Sequence, residues 1–217
     1  MLQNVENVEN LKILQSSDKI CKSLSDDLSI IFNFIGKENH LSLFNFLLQL
    51  HIKKELLKEV FDYESTKKIT ILMKILPKAK NLRCFESILD KVFDFYSENL
   101  FDDFLMRTDD NKNLIFHYFS EHCYNARIIE AFWDKLESKN LTSEQITKIL
   151  THKNYQNETF FLAAFYIDID KESGFDVHKE LDKRKERNEF LYKILIKHLK
   201  EEKLTEMISI IKTRALI

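Results

Sequence analysis

The sequence predicts an all-α protein, and three observations carry the prediction: very little glycine or proline, apolar residues at helical spacing, and asparagines between the apolar stretches. Only 2 Gly and 1 Pro occur among 217 residues. Sheets, dinucleotide folds and phosphate-binding loops rely on such residues for tight turns, so their scarcity excludes much. Asparagine tolerates the left-handed backbone found at helix ends. Asn39, Asn81, Asn111, Asn125, Asn140, Asn157 and Asn188 stand where helices are expected to break. Hydrophobic residues make up 44% of the chain and aromatic residues 12%, with 18 Phe, so a large interior rich in rings is expected.

Taken in order, residues 1–19 are polar and predict a frayed or loosely attached segment. From Cys21, Leu24, Leu28, Ile31, Phe32 and Ile35 lie on one helical face that ends at Gly36, a C-cap residue. Leu41 to His51 reads as a buried helix and Lys53 to Tyr63 as an amphipathic one. Ile69 to Leu76 is helical until Pro77 ends or kinks it. A long helix is expected from Asn81 to Phe104, with Phe85, Ile88, Leu89, Val92, Phe93 and Tyr96 as its apolar stripe.

The polar turn Asp109-Asp110-Asn111-Lys112-Asn113 leads into an inner helix from Leu114. A break at Cys123-Tyr124-Asn125 precedes an outer helix over Ala126 to Trp133. Thr142 and Gln145 form a capping box that opens a helix through Leu150. A second polar turn, Asn154 to Glu158, leads into Thr159 to Ala164. After a loop containing Gly174 and a charged helix, Asn188 to Leu195 is expected to open another unit, with Leu204 to Ile211 as its outer helix. The organisation expected is a polar segment over 1–19, helical pairs over 20–106, and helical repeats over 107–217 continuous with them.

Charge is balanced, 33 Lys and Arg against 35 Asp and Glu, and a pI near 6.4 gives no basic excess of the kind nucleic-acid domains carry. The cluster Lys183-Arg184-Lys185-Glu186-Arg187, interrupted by acid, reads as a solvated helix face or linker, with a phosphate or membrane-surface contact as the alternative. Three cysteines, none at metal or redox spacing, are expected to stay reduced. The first ten residues lack a basic, apolar leader, and no apolar run reaches the ~18 residues of a membrane span. No membrane span, no nucleic-acid partner and a cytoplasmic location are the expectations.

Candidate chemistry fails on geometry. His117 and His122 lie ~140° apart around a helix and cannot close on one ion from one face, and His117 and Glu121, which do share a face, lack a defined third ligand. Asp168 to Asp176 resembles a calcium loop, but Gly174 is one place late and Lys179 stands where a bidentate Glu is required. The adjacent acids Asp102-Asp103 and Asp109-Asp110 diverge by ~100° on a helix and make no dyad. Glycine-rich phosphate loops, G-x-S-x-G and H-E-x-x-H are all absent. No catalytic residue, metal or cofactor is expected, and the aromatic stripes, Trp133 included, are expected in the core.

The run Asn157-Glu158-Thr159-Phe160-Phe161-Leu162-Ala163-Ala164 resembles an ankyrin opening with its Pro, Leu and His replaced, and Asn113-Leu114-Ile115-Phe116-His117 is similar with His kept. Ala126 to Trp133 is similar to the second ankyrin helix. The openings at Leu41, Ile69, Leu114, Thr159 and Phe190 are irregularly spaced, and the glycines of the family are missing. The resemblance implies helix-turn-helix repeats stacked as a short, irregular α-solenoid, acting as a non-enzymatic module that binds or scaffolds a protein. It further implies that Glu38, His40, Asn111, Asn113, Gln156, Glu158, Arg187 and Glu189 are exposed turn positions that contact the partner. The alternatives are an irregular bundle, a helical enzyme with a site assembled from distant residues, and a carrier of an apolar molecule. Lastly, Glu201, Glu202 and Glu206 ahead of Ala215-Leu216-Ile217 resemble the C-terminal signals of translocated bacterial effectors. That resemblance implies delivery into a host cytosol by a non-Sec route and a host protein as partner.

Overall fold

The computed structural model describes residues 41–49, 54–62, 64–123, 125–165 and 177–215. The expected helix from Cys21 to Gly36, the turn residues Glu38 and His40, and the acidic loop from Asp168 to Asp176 lie outside them. Helices dominate the described residues, and their β-type pairing is one isolated antiparallel bridge between Glu64 and Thr70.

Among the described residues ten α-helices follow in order: α1 (Leu41–Gln49), α2 (Lys54–Asp62), α3 (Ile71–Ile75), α4 (Leu82–Phe95), α5 (Ile115–His122), α6 (Ala126–Glu137), α7 (Ser143–Thr151), α8 (Phe160–Phe165), α9 (Val177–His198) and α10 (Glu201–Ala215). Pro77 sits in the first turn of a 3₁₀ segment, Leu76–Lys78, that continues α3. At that position a missing N–H is tolerated, and the α-helix ends at Ile75, just ahead of the proline. The stretch expected as one helix from Asn81 to Phe104 is two elements: α4 ends at Phe95, and a π-helical turn spans Leu100–Leu105. The split lets both Phe93 and Phe104 face inward, 6.1 Å apart edge to face.

Asparagine does close and open helices as its chemistry predicts. The side chain of Asn81 accepts the Cys84 N–H, and that of Asn125 accepts the Arg127 N–H, capping α4 and α6. Asn140 and Asn157 take positive φ, 54° and 59°. The capping box of Thr142 and Gln145 opens α7, with reciprocal bonds of 3.2 and 2.9 Å.

Helix α3 packs on α5 and α5 on α8, while α4 packs on α6 and α6 on α9. Between these two rows lies a continuous core of rings, in which Phe116, Phe119 and Phe132 meet at 4.8 to 5.4 Å. Trp133 is buried there, and its indole N–H donates to Glu137 at 2.9 Å. The apolar space among Phe116, Phe119, Phe132, Trp133 and Phe160 is only ≈ 10 Å³, so these rings fill the core rather than line a ligand chamber.

Among the described residues one loop is built three times. At Ser65, Asp109 and Asn154 a side-chain oxygen accepts the N–H groups of the residues two and four places on. The first residue's own N–H reaches the fifth residue's carbonyl, and the fourth N–H returns to the first carbonyl. The fourth residues, Lys68, Lys112 and Asn157, have φ of 55°, 60° and 59°. The sixth residues, Thr70, Leu114 and Thr159, stand immediately before α3, α5 and α8. The loops begin at residues 65, 109 and 154, 44 and 45 residues apart.

Lysine is poorly suited to a left-handed position because its Cβ crowds the carbonyl. Replacing Lys68 by glycine is therefore expected to stabilise the protein by about 0.5–1 kcal/mol, even after the glycine's greater freedom in the unfolded chain is subtracted. The exposed, 3.8 Å pairing of Lys68 with Asp110 is worth little against that. A rise in the urea midpoint at constant slope is the expected readout, and no rise would mean the backbone there is unstrained.

Candidate functional site

The three loops are hydrogen-bonded to one another through the backbone. The second residue of each later loop donates to the third carbonyl of the loop before it: Asp110 to Lys67 at 3.1 Å, and Tyr155 to Asn111 at 2.9 Å. Side chains add to the second junction. Asn154 Nδ2 donates to Asn113 Oδ1 at 3.0 Å, and the His152 Nε2–H donates to the Lys112 carbonyl at 2.8 Å.

His117 ties the first turn of α5 to the third loop. Its Nδ1 accepts the Leu114 N–H at 3.2 Å, which leaves the proton on Nε2 to be donated to the Glu158 carbonyl at 3.1 Å. Leu114 has no oxygen with which to cap α5, so the imidazole takes over half of a capping box. Burial lowers the His117 pKa to about 4, so the ring is neutral near pH 7. With both ring nitrogens engaged, His117 has no lone pair left for a metal. Among the described residues no three His, Cys, Asp or Glu converge on a metal position.

Asp109 is buried beneath the second loop and spends its oxygens inside the fold. It accepts from the Asn111 and Asn113 amides, the Asn113 side chain, and the Tyr118 hydroxyl at 2.8 Å. Burial and this carboxylate push the Tyr118 hydroxyl pKa well up, so it stays protonated and donating. The Cys123 thiol, pushed up to about 11 by burial, is an unreactive core group.

With the first, fifth and sixth residues committed to the framework, the second, third and fourth face solvent in every loop. These are Thr66, Lys67 and Lys68, then Asp110, Asn111 and Lys112, then Tyr155, Gln156 and Asn157. Of the positions expected at turns, Asn111 and Gln156 are exposed tips, and Asn113 and Glu158 are half-buried loop ends. The structure brings these four together in neighbouring loops. Thr66, Lys67 and Lys68 stand in a loop the sequence did not mark as a turn, while Lys112 and Tyr155 lie in expected turns but were not among the expected partner contacts. The signal for the first loop was Ser65, which lies 44 residues before Asp109 and can play the same part.

Arg187 and Glu189 are placed differently. Asn188 does not open a unit, because α9 runs unbroken through it from Val177 to His198, and Asn188 bonds the side chain of its neighbour Arg187 at 3.1 Å. Glu189 is exposed on the helix, away from any turn. Arg187 is buried at 2% exposure. Its guanidinium donates to the carbonyls of Ser120 at 2.7 Å and Cys123 at 3.5 Å, at the end of α5, and of Ala164 at 2.6 Å, near the end of α8. Helix C-termini leave carbonyls unpaired and carry partial negative charge, so a buried cation is well placed there. Part of the cluster read as a solvated face is thus a clasp between the ends of α5 and α8.

Among the described residues two further polar centres tie separate elements together. Arg107 donates to Asp62 at 2.7 Å and to Glu64 at 2.9 Å, and the Tyr96 hydroxyl donates to the same Asp62 oxygen at 3.2 Å. Partial burial opposes the Asp62 charge, but the bonds from Lys58 and Arg107 outweigh it and hold the carboxyl below its usual value. Glu137 joins α6 to α9 by accepting from Lys197 at 2.6 Å and His198 at 2.8 Å. On the outer surface a groove of ≈ 630 Å³ runs between α4 and α6. It is lined by Glu86 and Asp90 of α4 and by Glu130 and Asp134 of α6, matching positions of a shared Glu-x-x-x-Asp-Lys pattern 44 residues apart. Lys135 pairs with Asp90 across it.

Compared with known proteins, the chain matches no family model, no curated protein and no solved structure. Among the described residues no helix is long and apolar enough to cross a membrane.

Proposed function

We propose that this protein is a non-enzymatic interaction module, a short irregular solenoid of ankyrin-like units that binds or scaffolds a protein partner through its loop tips and inner helices. The observation that carries this reading is a bonding frame built three times and stacked, under exposed tips that differ from loop to loop. A rigid scaffold that holds its framework and varies its exposed loop residues is an arrangement suited to recognition. Tyr155, 66% exposed, supplies a rigid aromatic contact of the type that dominates interfaces. The spacing of 44 and 45 residues exceeds the ankyrin period of about 33. Extra helical segments after the outer helices, Leu100–Leu105 and α7, account for the added length. The shared Glu-x-x-x-Asp-Lys pattern of α4 and α6 supports the same equivalence of units.

Affinity capture from cell extract with the full chain and with a tip variant tests the reading. The variant carries Lys67→Ala, Asn111→Ala, Tyr155→Ala and Gln156→Ala, exposed changes expected to alter stability by no more than about 0.5 kcal/mol each. Proteins enriched by the parent are expected to be lost with the variant while thermal unfolding is retained. The same set captured by both, or no enrichment by the parent, would reject the tips as the binding surface.

A further inference from the structure

Resting on the loop tips as the binding surface, we infer that the partner presents an acidic segment to them. The chain as a whole carries a net charge of -2, yet the tips run against that sign. Lys67 and Lys68 stand on the first loop, Lys112 on the second, and the exposed Lys153 directly before the third. The carboxylate among the exposed tip residues is Asp110, and Lys68 already pairs with it at 3.8 Å. Among the described residues Lys67, Lys112 and Lys153 have no carboxylate within salt-bridge distance, and each belongs to a different loop or its base.

The stack also orders one of these cations. Lys112 Nζ lies over the exposed Tyr155 ring, 4.7 Å from its centre, so a ring from the third loop steadies a charge from the second. The backbone bond from Tyr155 to Asn111 fixes the two loops in that register. A cation held in place loses less side-chain freedom when an anion arrives. An extended peptide crossing the loops, with one carboxylate for each, would meet Lys67, Lys112 and Lys153 in turn. Its apolar or ring-stacking contact would be Tyr155. A polyphosphate strand is less well matched, because the chain's pI near 6.4 reflects no broad basic field around these few lysines.

Fluorescence anisotropy on the full chain tests this with three labelled probes of equal length: poly-glutamate, poly-lysine and a single-stranded oligonucleotide. Poly-glutamate is expected to bind, and poly-lysine is not. Its affinity is expected to fall by about tenfold or more in a Lys67→Glu/Lys112→Glu/Lys153→Glu variant and to weaken with added salt. A Tyr155→Ala variant, which frees Lys112 without removing charge, is expected to lose roughly threefold. Circular dichroism confirms that each variant is folded. Poly-glutamate binding that ignores the charge reversal, or tighter binding of the oligonucleotide, overturns the inference. The two readings fail separately. If the alanine tip variant loses the captured partner but the charge-reversed variant keeps it, the tips remain the binding surface and the acidic partner is rejected.

Discussion

Arg187→Ala is expected to cost on the order of 3–5 kcal/mol, the largest single loss among the side chains described. The substitution leaves the carbonyls of Ser120, Cys123 and Ala164 facing a cavity in place of a guanidinium. Buried carbonyls without donors pay their full desolvation, and the lost side-chain volume adds to it. Arg187→Lys is expected to recover only part of the loss, because one ammonium cannot span the ends of two helices as a planar fork does. Urea unfolding near pH 7 gives the measurement, with a lower midpoint at unchanged slope for both variants. A loss of less than about 1 kcal/mol for Arg187→Ala would mean that the helix ends do not depend on the clasp.

Acid is expected to loosen the loop stack through His117. Its pKa is lowered from an ordinary 6.5 to about 4 by burial, so the unfolded chain binds the extra proton first as pH falls. Stability from the neutral ring is whole above pH 6.5, declines as pH drops through the interval, and is gone below about 4, a total of about 3 kcal/mol. His122, also lowered by burial, adds to the same trend. His117→Gln keeps an acceptor for the Leu114 N–H, as in a capping box, but cannot take up a proton. Between pH 7 and pH 4.5 the melting temperature of the parent is expected to fall further than that of the variant. Parallel curves would show that His117 does not govern the acid response.

Much of the fold was legible because its signals are local. The capping box at Thr142 and the asparagine caps at Asn81 and Asn125 depend on a side chain and an amide no more than three residues away. The turns beginning at Asp109 and Asn154 announce themselves in the same way, by polar runs. Ser65 does not, because Ser-Thr-Lys-Lys-Ile lacks the Asn and Asp that mark a turn, and Lys68 adopts a backbone that lysine rarely takes. The tip surface was therefore half visible: Asn111 and Gln156 stood out, and the lysines did not. Arg187 was misplaced for a different reason. A basic residue in a charged run looks solvated until helices from distant parts of the chain bring their carbonyls to it, and spacing in the sequence carries no trace of that meeting.

The distance of that meeting along the chain also bears on how the molecule is made. Ser120 precedes Arg187 by 67 residues, which at a synthesis rate of ~5–20 residues per second is roughly 3–13 s of translation. Until then the end of α5 must rely on water for its last carbonyls, whereas the second loop and His117's bond to Leu114 need nothing beyond residues already made. The first two loops can thus form on the ribosome while the row of α3, α5 and α8 stays soft at its far end. Synthesis of α9 supplies the group that sets it, so a late residue closes an early helix.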